Sequence, residues 1–266
     1  MPILNVNNAD FYYEIHGNGQ PVVLISGYSC DHLAWLPILA GLSKHFQVIL
    51  FDNRAIGRTV DKGIPLSVEL MAQDVIDLAQ QLQLNKPHII GHSMGGTIAQ
   101  TIAGLYPGEI SKVCILASSV KWRPAMLGGL ESLLTMRKQN IDFDMLFAST
   151  LPWIFGNEFL TNAKALTELK KATIENPYPQ SLPDQTRQFR VLEQFNGEKY
   201  LSRIQAPTLI TYGCQDLLSL PYESAYMAKQ IPCATLTEFD SGHGMMLEVP
   251  KHLTETLIKF LNVDQV

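Results

Sequence analysis

The sequence predicts an α/β fold: a mostly parallel central sheet with helices on both faces, interrupted by an inserted helical cap. Three observations lead there. Short, continuously apolar strand segments alternate with helical ones from the N-terminus to about Ser119. From Lys121 to Lys199 the alternation gives way to helical segments joined at prolines, and strand segments resume at Pro207. The expected layout is a core over residues 1–120 and 201–266, with the cap over 121–200.

Phe11-Tyr12-Tyr13-Glu14-Ile15-His16 is aromatic and β-prone, Gly17 to Pro21 supplies a turn, and Val22-Val23-Leu24-Ile25 reads as a strand buried on both faces. A helical segment precedes the next strand, Phe46 to Phe51. Ser67 to Leu84 carries Val68, Met71, Val75, Leu78, Ala79 and Leu82 at helical spacing, with Ser67 as the expected N-cap. Strands follow at His88–Ile90 and Lys112–Ala117. Within the cap, helices are expected at Leu130–Lys138 and Thr161–Ala172, with joints at Leu151-Pro152-Trp153 and Asn176-Pro177-Tyr178-Pro179. Strands at Pro207–Tyr212 and Ala234–Phe239 and a helix at His252–Leu261 close the core.

At 266 residues and 46% hydrophobic, the chain can bury one large core. A net charge of -5 offers no basic footprint for nucleic acid or an anionic membrane. The four cysteines (Cys30, Cys114, Cys214, Cys233) include no C-x-x-C pair. Cys114 and Cys214 lie in or beside apolar runs, so buried free thiols are expected there. Met1 to Asn5 has no charged n-region, and no apolar run reaches membrane-spanning length. The expectation is a soluble, cytoplasmic protein; its oligomeric state is not legible.

The most informative stretch is Gly91-His92-Ser93-Met94-Gly95, between a strand and the helical segment that starts at Gly96. An abrupt strand-to-helix turn strains the residue at its apex, and flanking glycines let neighbouring backbone come close. A serine there presents its hydroxyl at a helix start, where free N–H groups favour developing negative charge. A serine hydroxyl needs a base, usually a histidine held by a carboxylate. In a parallel sheet such groups meet just past the C-terminal ends of strands. Gly213-Cys214-Gln215-Asp216 follows one late strand and Asp240-Ser241-Gly242-His243-Gly244 the next. The expected catalytic residues are therefore Ser93, Asp216 and His243. Asp240 is a rival acid, awkwardly placed in the same turn as His243, and Asp216 could instead cap the helix after Leu220. His92 is read as packing beside the nucleophile. The backbone N–H groups of Met94 and Tyr28 are the expected oxyanion donors, Tyr28 from the loop Ser26-Gly27-Tyr28.

With the elbow, the Ser, Asp, His order and Phe51-Asp52-Asn53-Arg54-Ala55-Ile56-Gly57-Arg58-Thr59, the chain resembles an α/β-hydrolase of the esterase, lactonase and C–C hydrolase group. The last segment is similar to that family's Asp-x-Arg-Gly-x-Gly-x-Ser stretch, with Ala55 for a usual glycine and Thr59 for a usual serine. Asp52 and Arg54 are read as an adjacent acid and base that fix the loop. Many relatives have His-Gly where this chain has Ser26-Gly27. Related dehalogenases and epoxide hydrolases carry an aspartate at the elbow, so Ser93 points to attack on a carbonyl. The resemblance thus implies hydrolysis of a small-molecule ester, lactone or thioester with no cofactor and no metal. C–C bond hydrolysis or acyl transfer on the same triad is the alternative, and a ligand receptor that retains the fold is a further one. Trp122, Met126, Leu127, Leu133, Met136, Phe143, Met145, Leu146, Phe147, Trp153 and Phe155 make the cap apolar, and most are expected to pack it onto the sheet. Met245 and Met246 are candidate additions to an apolar acyl pocket.

Overall fold

A computed structural model describes residues 2–262. Eight strands form one sheet in the order β1-β2-β4-β3-β5-β6-β7-β8. These are β1 (Ile3–Val6), β2 (Ala9–His16), β3 (Pro21–Ile25), β4 (Gln47–Phe51), β5 (His88–His92), β6 (Val113–Leu116), β7 (Thr208–Gly213) and β8 (Ala234–Phe239). β1 pairs antiparallel with β2, and β2 with β4; every later pairing is parallel.

Alternation of side chains along each central strand divides the core in two. Val23, Ile25, Ile49, Phe51, Ile89 and Ile115 face one cluster, which includes residues of α2 (Val68–Gln81) and α3 (Met94–Leu105). Val22, Leu24, Val48, Leu50, Ile90 and Leu116 face the other, closed by α1 (Leu36–Leu42) and α12 (Pro250–Asn262). Both faces are covered, so the central strands are mostly apolar, with buried His88, His92, Thr208 and Thr211 among them. Ser67 caps α2 as expected, its hydroxyl accepting from Leu70 N at 3.1 Å. The helices α4 (Pro124–Lys138), α5 (Phe143–Ile154), α6 (Asn157–Thr161), α7 (Ala163–Glu175), α8 (Leu182–Gln194) and α9 (Glu198–Leu201) lie between β6 and β7.

Four local expectations are corrected. β1 is an additional strand, joined to β2 through Asn7 (φ 48°) and Asn8 (φ 60°), the left-handed pair that suits a tight hairpin. Pro152 is not a joint: α5 runs through it to Ile154. Thr161–Ala172 is not one helix, because the Asn162 side chain accepts from Ala165 N at 3.1 Å and starts α7 after α6 ends. Cys114 is buried as expected, but Cys214 is exposed just past β7, its thiol directed at Asp240. No helix among the described residues is long and apolar enough to cross a membrane.

Candidate active site

Ser93 stands between β5 and α3 at φ 56°, ψ -117°, a left-handed conformation that a non-glycine residue holds only under constraint. The constraint comes from both sides. Ser93 N donates to Leu116 O on β6 at 2.9 Å, and Ser93 O accepts from Gly96 N at 2.9 Å. A Cβ on Gly91 would lie 2.1 Å from Gly95 O, and one on Gly95 would lie 2.0 Å from Ile25 O. The elbow's glycines therefore serve close backbone approach. Met94 N–H is the first of α3, one of the donors that a helix start leaves without an intrahelical acceptor.

His243 and Asp216 meet beside the elbow. His243 Nδ1 lies 2.8 Å from Asp216 Oδ2, and both residues are almost fully buried. With the carboxylate ionised, Nδ1 carries the proton and Nε2 is left as the acceptor. Asp216 Oδ1 accepts from Leu218 N at 2.8 Å and Ser219 N at 3.0 Å. The carboxylate thus binds its own turn and the imidazole together. It does not cap the following helix, α10 (Pro221–Gln230): Glu223 Oε2 accepts from Leu220 N there, at 2.7 Å. Asp240 is exposed and accepts from Gln215 Nε2 at 2.8 Å. Among the described residues the Ser93 hydroxyl has no hydrogen bond, a common state for a nucleophile without substrate.

His92 ties the histidine loop to the elbow. Its Nε2 donates to the His243 carbonyl at 2.9 Å, and the two rings lie 4.9 Å apart. Burial, with the His243 ring as a lesser cause, pushes the His92 pKa down to about 3, so it stays neutral. The helical segment grips the same loop from the other side. Gly244 N donates to Ile154 O at 2.8 Å, and a Cβ on Gly242 would lie 2.6 Å from Gly156 N. Glu248 accepts from Gly156 N at 2.8 Å and from Gly242 N at 3.0 Å. Burial raises the Glu248 carboxyl above the ordinary carboxylate range against the pull of those N–H donors, and the Asp216 charge adds to the rise.

The Ser26–Asp31 loop comes close to the serine: a Cβ on Gly27 would lie 3.1 Å from Ser93 Cβ. Ser26 fills the place of the usual histidine by accepting from Trp35 Nε1 at 2.9 Å and donating to Asp31 O at 3.0 Å. Asn53 Nδ2 adds a bond to Ser26 O at 3.0 Å. Asp52 and Arg54 fix this region, though not as a pair. Asp52 Oδ1 accepts from His32 N at 2.8 Å and lies 2.7 Å from His32 Nδ1, while Arg54 is held by Asp74 at 2.6 and 2.8 Å.

Two cavities, of about 340 and 160 Å³, lie elsewhere. The larger is lined by Ser67, Glu69, Phe195 and Lys199 and holds no nucleophile–base pair. The smaller abuts Glu248 behind the histidine loop. Neither cavity is lined by Ser93, Asp216 or His243.

Residues 20–250 match the α/β hydrolase fold family. A protein of Azorhizobium caulinodans named "Putative carbamate hydrolase RutD" is 28% identical, covering 100% of both chains. The crystal structure of the enol-lactonase from Burkholderia xenovorans superposes with a TM-score of 0.87 at 22% identity, covering 98% of this chain and 100% of that one. The structure of Est816, described as an N-acyl homoserine lactone degrading enzyme, gives 0.80 at 25% identity, covering 97% and 100%. The elbow, the sheet order and these similarities carry one conclusion: the chain belongs to the α/β hydrolase fold family.

Proposed function

We propose that this protein is a serine hydrolase that cleaves a carboxylic ester, or a lactone or thioester, of a small to medium apolar acyl substrate. The observation that supports the reading is the strained Ser93 in an elbow whose His92 holds the His243 carbonyl, with His243 paired to a buried Asp216. In the first half-reaction Ser93 Oγ attacks the acyl carbon and passes its proton to His243 Nε2. The carbonyl oxygen becomes an oxyanion facing Met94 N–H and Tyr28 N–H. Collapse breaks the bond to the leaving group, which takes the proton from His243. Water then attacks the acyl-enzyme, giving a proton to His243; collapse breaks the acyl–Oγ bond, the imidazolium returns that proton to Ser93 Oγ, and the free acid leaves. Asp216 keeps the imidazole in the required tautomer throughout.

In this reading residues 121–200 form a cap that sets acyl specificity, with Trp122 and Met126 among its buried apolar residues. The expected preference is for medium-chain or aromatic acyl groups over highly charged ones. A second reading, hydrolysis of a carbamate, is favoured by the name of the full-length relative. Its carbonyl carbon would be attacked by the same serine.

Both readings are tested by turnover across p-nitrophenyl acyl esters, lactones, acyl thioesters and carbamates, with Ser93→Ala as control. Hexanoyl should exceed acetyl among the esters, and the variant should lose at least about a thousandfold. Carbamate turnover well above ester turnover would favour the second reading. Unchanged activity in Ser93→Ala would overturn both.

A further inference from the structure

Gln188 lies on the inner face of α8 beside Phe189, Val191 and Leu192, with 0% of its surface exposed. A buried amide in apolar surroundings destabilises the fold unless its atoms find partners. Gln188 Oε1 accepts from Ser29 N at 3.0 Å and from Gln180 Nε2 at 3.0 Å. Its Nε2 donates to Arg54 O at 2.9 Å. One side chain of the helical segment thus joins the loop after β3 to the loop after β4.

What it holds matters for chemistry. Ser29 has φ 58°, a left-handed conformation that needs support in a non-glycine residue. The peptide between Tyr28 and Ser29 is planar, so fixing Ser29 N–H fixes the orientation of the Tyr28 carbonyl and narrows that of the Tyr28 N–H before it. The same short turn presses Gly27 against Ser93. Neighbouring amides reinforce the anchor: Ser29 Oγ donates to Gln180 Oε1 at 2.7 Å and accepts from Gln185 Nε2 at 3.0 Å.

We propose that Gln188 is a positioning residue, acting from the helical segment to aim the Tyr28 N–H at the oxygen that becomes negative in the transition state. The proposal rests on the serine-hydrolase reading above. Oxyanion donors work because they are set before charge develops, and a displacement of about 1 Å can cost on the order of 100-fold in rate. Gln188 touches neither substrate nor reacting atoms, so its effect should fall on kcat rather than KM.

The experiment compares wild type, Ser93→Ala, Gln188→Leu and Gln188→Glu on a p-nitrophenyl acyl ester. Each is also titrated with a trifluoromethyl ketone of matching chain length, which Ser93 converts to a hemiketal oxyanion. Gln188→Leu should lower kcat roughly 10- to 100-fold with KM within about threefold, and should weaken the ketone by a similar factor. Gln188→Glu should lie between, because its protonated carboxyl keeps both an acceptor for Ser29 N–H and a donor to Arg54 O. Its kcat should fall, relative to wild type, as rising pH ionises the group and removes the donor to Arg54 O. A folded Gln188→Leu with wild-type kcat and ketone affinity would overturn the proposal. If that variant fails to fold, a Gln188→Glu with the wild-type pH profile and ketone affinity would overturn it. Full activity in Ser93→Ala would instead sink the hydrolase reading, and this proposal with it.

Discussion

Asp216 divides its work between two oxygens, one on His243 and one on the Leu218 and Ser219 N–H groups. An asparagine could keep one set of bonds but would present the wrong partner to the imidazole. Asp216→Asn should therefore reduce kcat on the order of 10³- to 10⁴-fold, whereas Asp240→Asn should stay within about twofold. Equal losses in both, measured on one ester, would contradict the assignment. His32 offers a test away from the serine. Burial alone would lower its pKa, but the Asp52 hydrogen bond and charge, with Asp31 and Glu14, raise it above the ordinary value. A raised folded-state value means stability fully present below the unfolded value of about 6.5 and lost as pH climbs through the folded one. The urea-unfolding gap between wild type and His32→Asn should be widest below about pH 6 and narrow toward alkaline pH; a gap independent of pH would contradict it. Residues of this kind were partly legible. The meeting of Asp216 with His243 could be read because a parallel sheet sends the ends of its late strands to one place. Gln188 could not, since its partner Ser29 is 159 positions away and its only mark is an amide on an apolar helix face.

Among the elements, the elbow has the least tolerance. The Gly95 position faces Ile25 O and Ser26 O, both backbone atoms of β3 and its loop, which cannot step aside cheaply. Gly95→Ala should destabilise the fold by about 3 kcal/mol or more, or prevent folding, while Gly108→Ala, with open space around it, should stay within about 0.5 kcal/mol. Urea unfolding followed by circular dichroism distinguishes the two, and a Gly95→Ala protein as stable as wild type would refute the close-approach account. Central strands were legible for a simple reason: burial on both faces fills their middles with apolar residues. β1 was less so, with Ile3 exposed and only Val6 buried among its four residues. Its clue was the Asn7-Asn8 pair. Apolar content also misleads in α5, which has no buried residue despite Phe143, Met145 and Phe147, because sequence does not say which helices the sheet actually receives.

Seen whole, the helical segment holds the candidate site at two points. Gln188 secures the loop after β3, and Ile154 with Gly156 secures the loop that carries His243, the latter through Glu248. The parallel sheet brings the serine, acid and histidine loops to one edge, and the segment between β6 and β7 fixes two of the surrounding loops against each other. The helical character of that segment was readable from the lost alternation; its grip on the core was not, because it runs through backbone atoms and amides with no sequence signature. The most direct measurement is intact-protein mass spectrometry after exposure to a fluorophosphonate, with the adduct mapped by peptide sequencing. The expected result is a single adduct on Ser93 that forms alongside loss of ester turnover, is absent in Ser93→Ala and forms far more slowly in His243→Ala. A folded, ester-hydrolysing protein that takes no label, or takes it at another residue, would contradict the assignment of Ser93 as nucleophile.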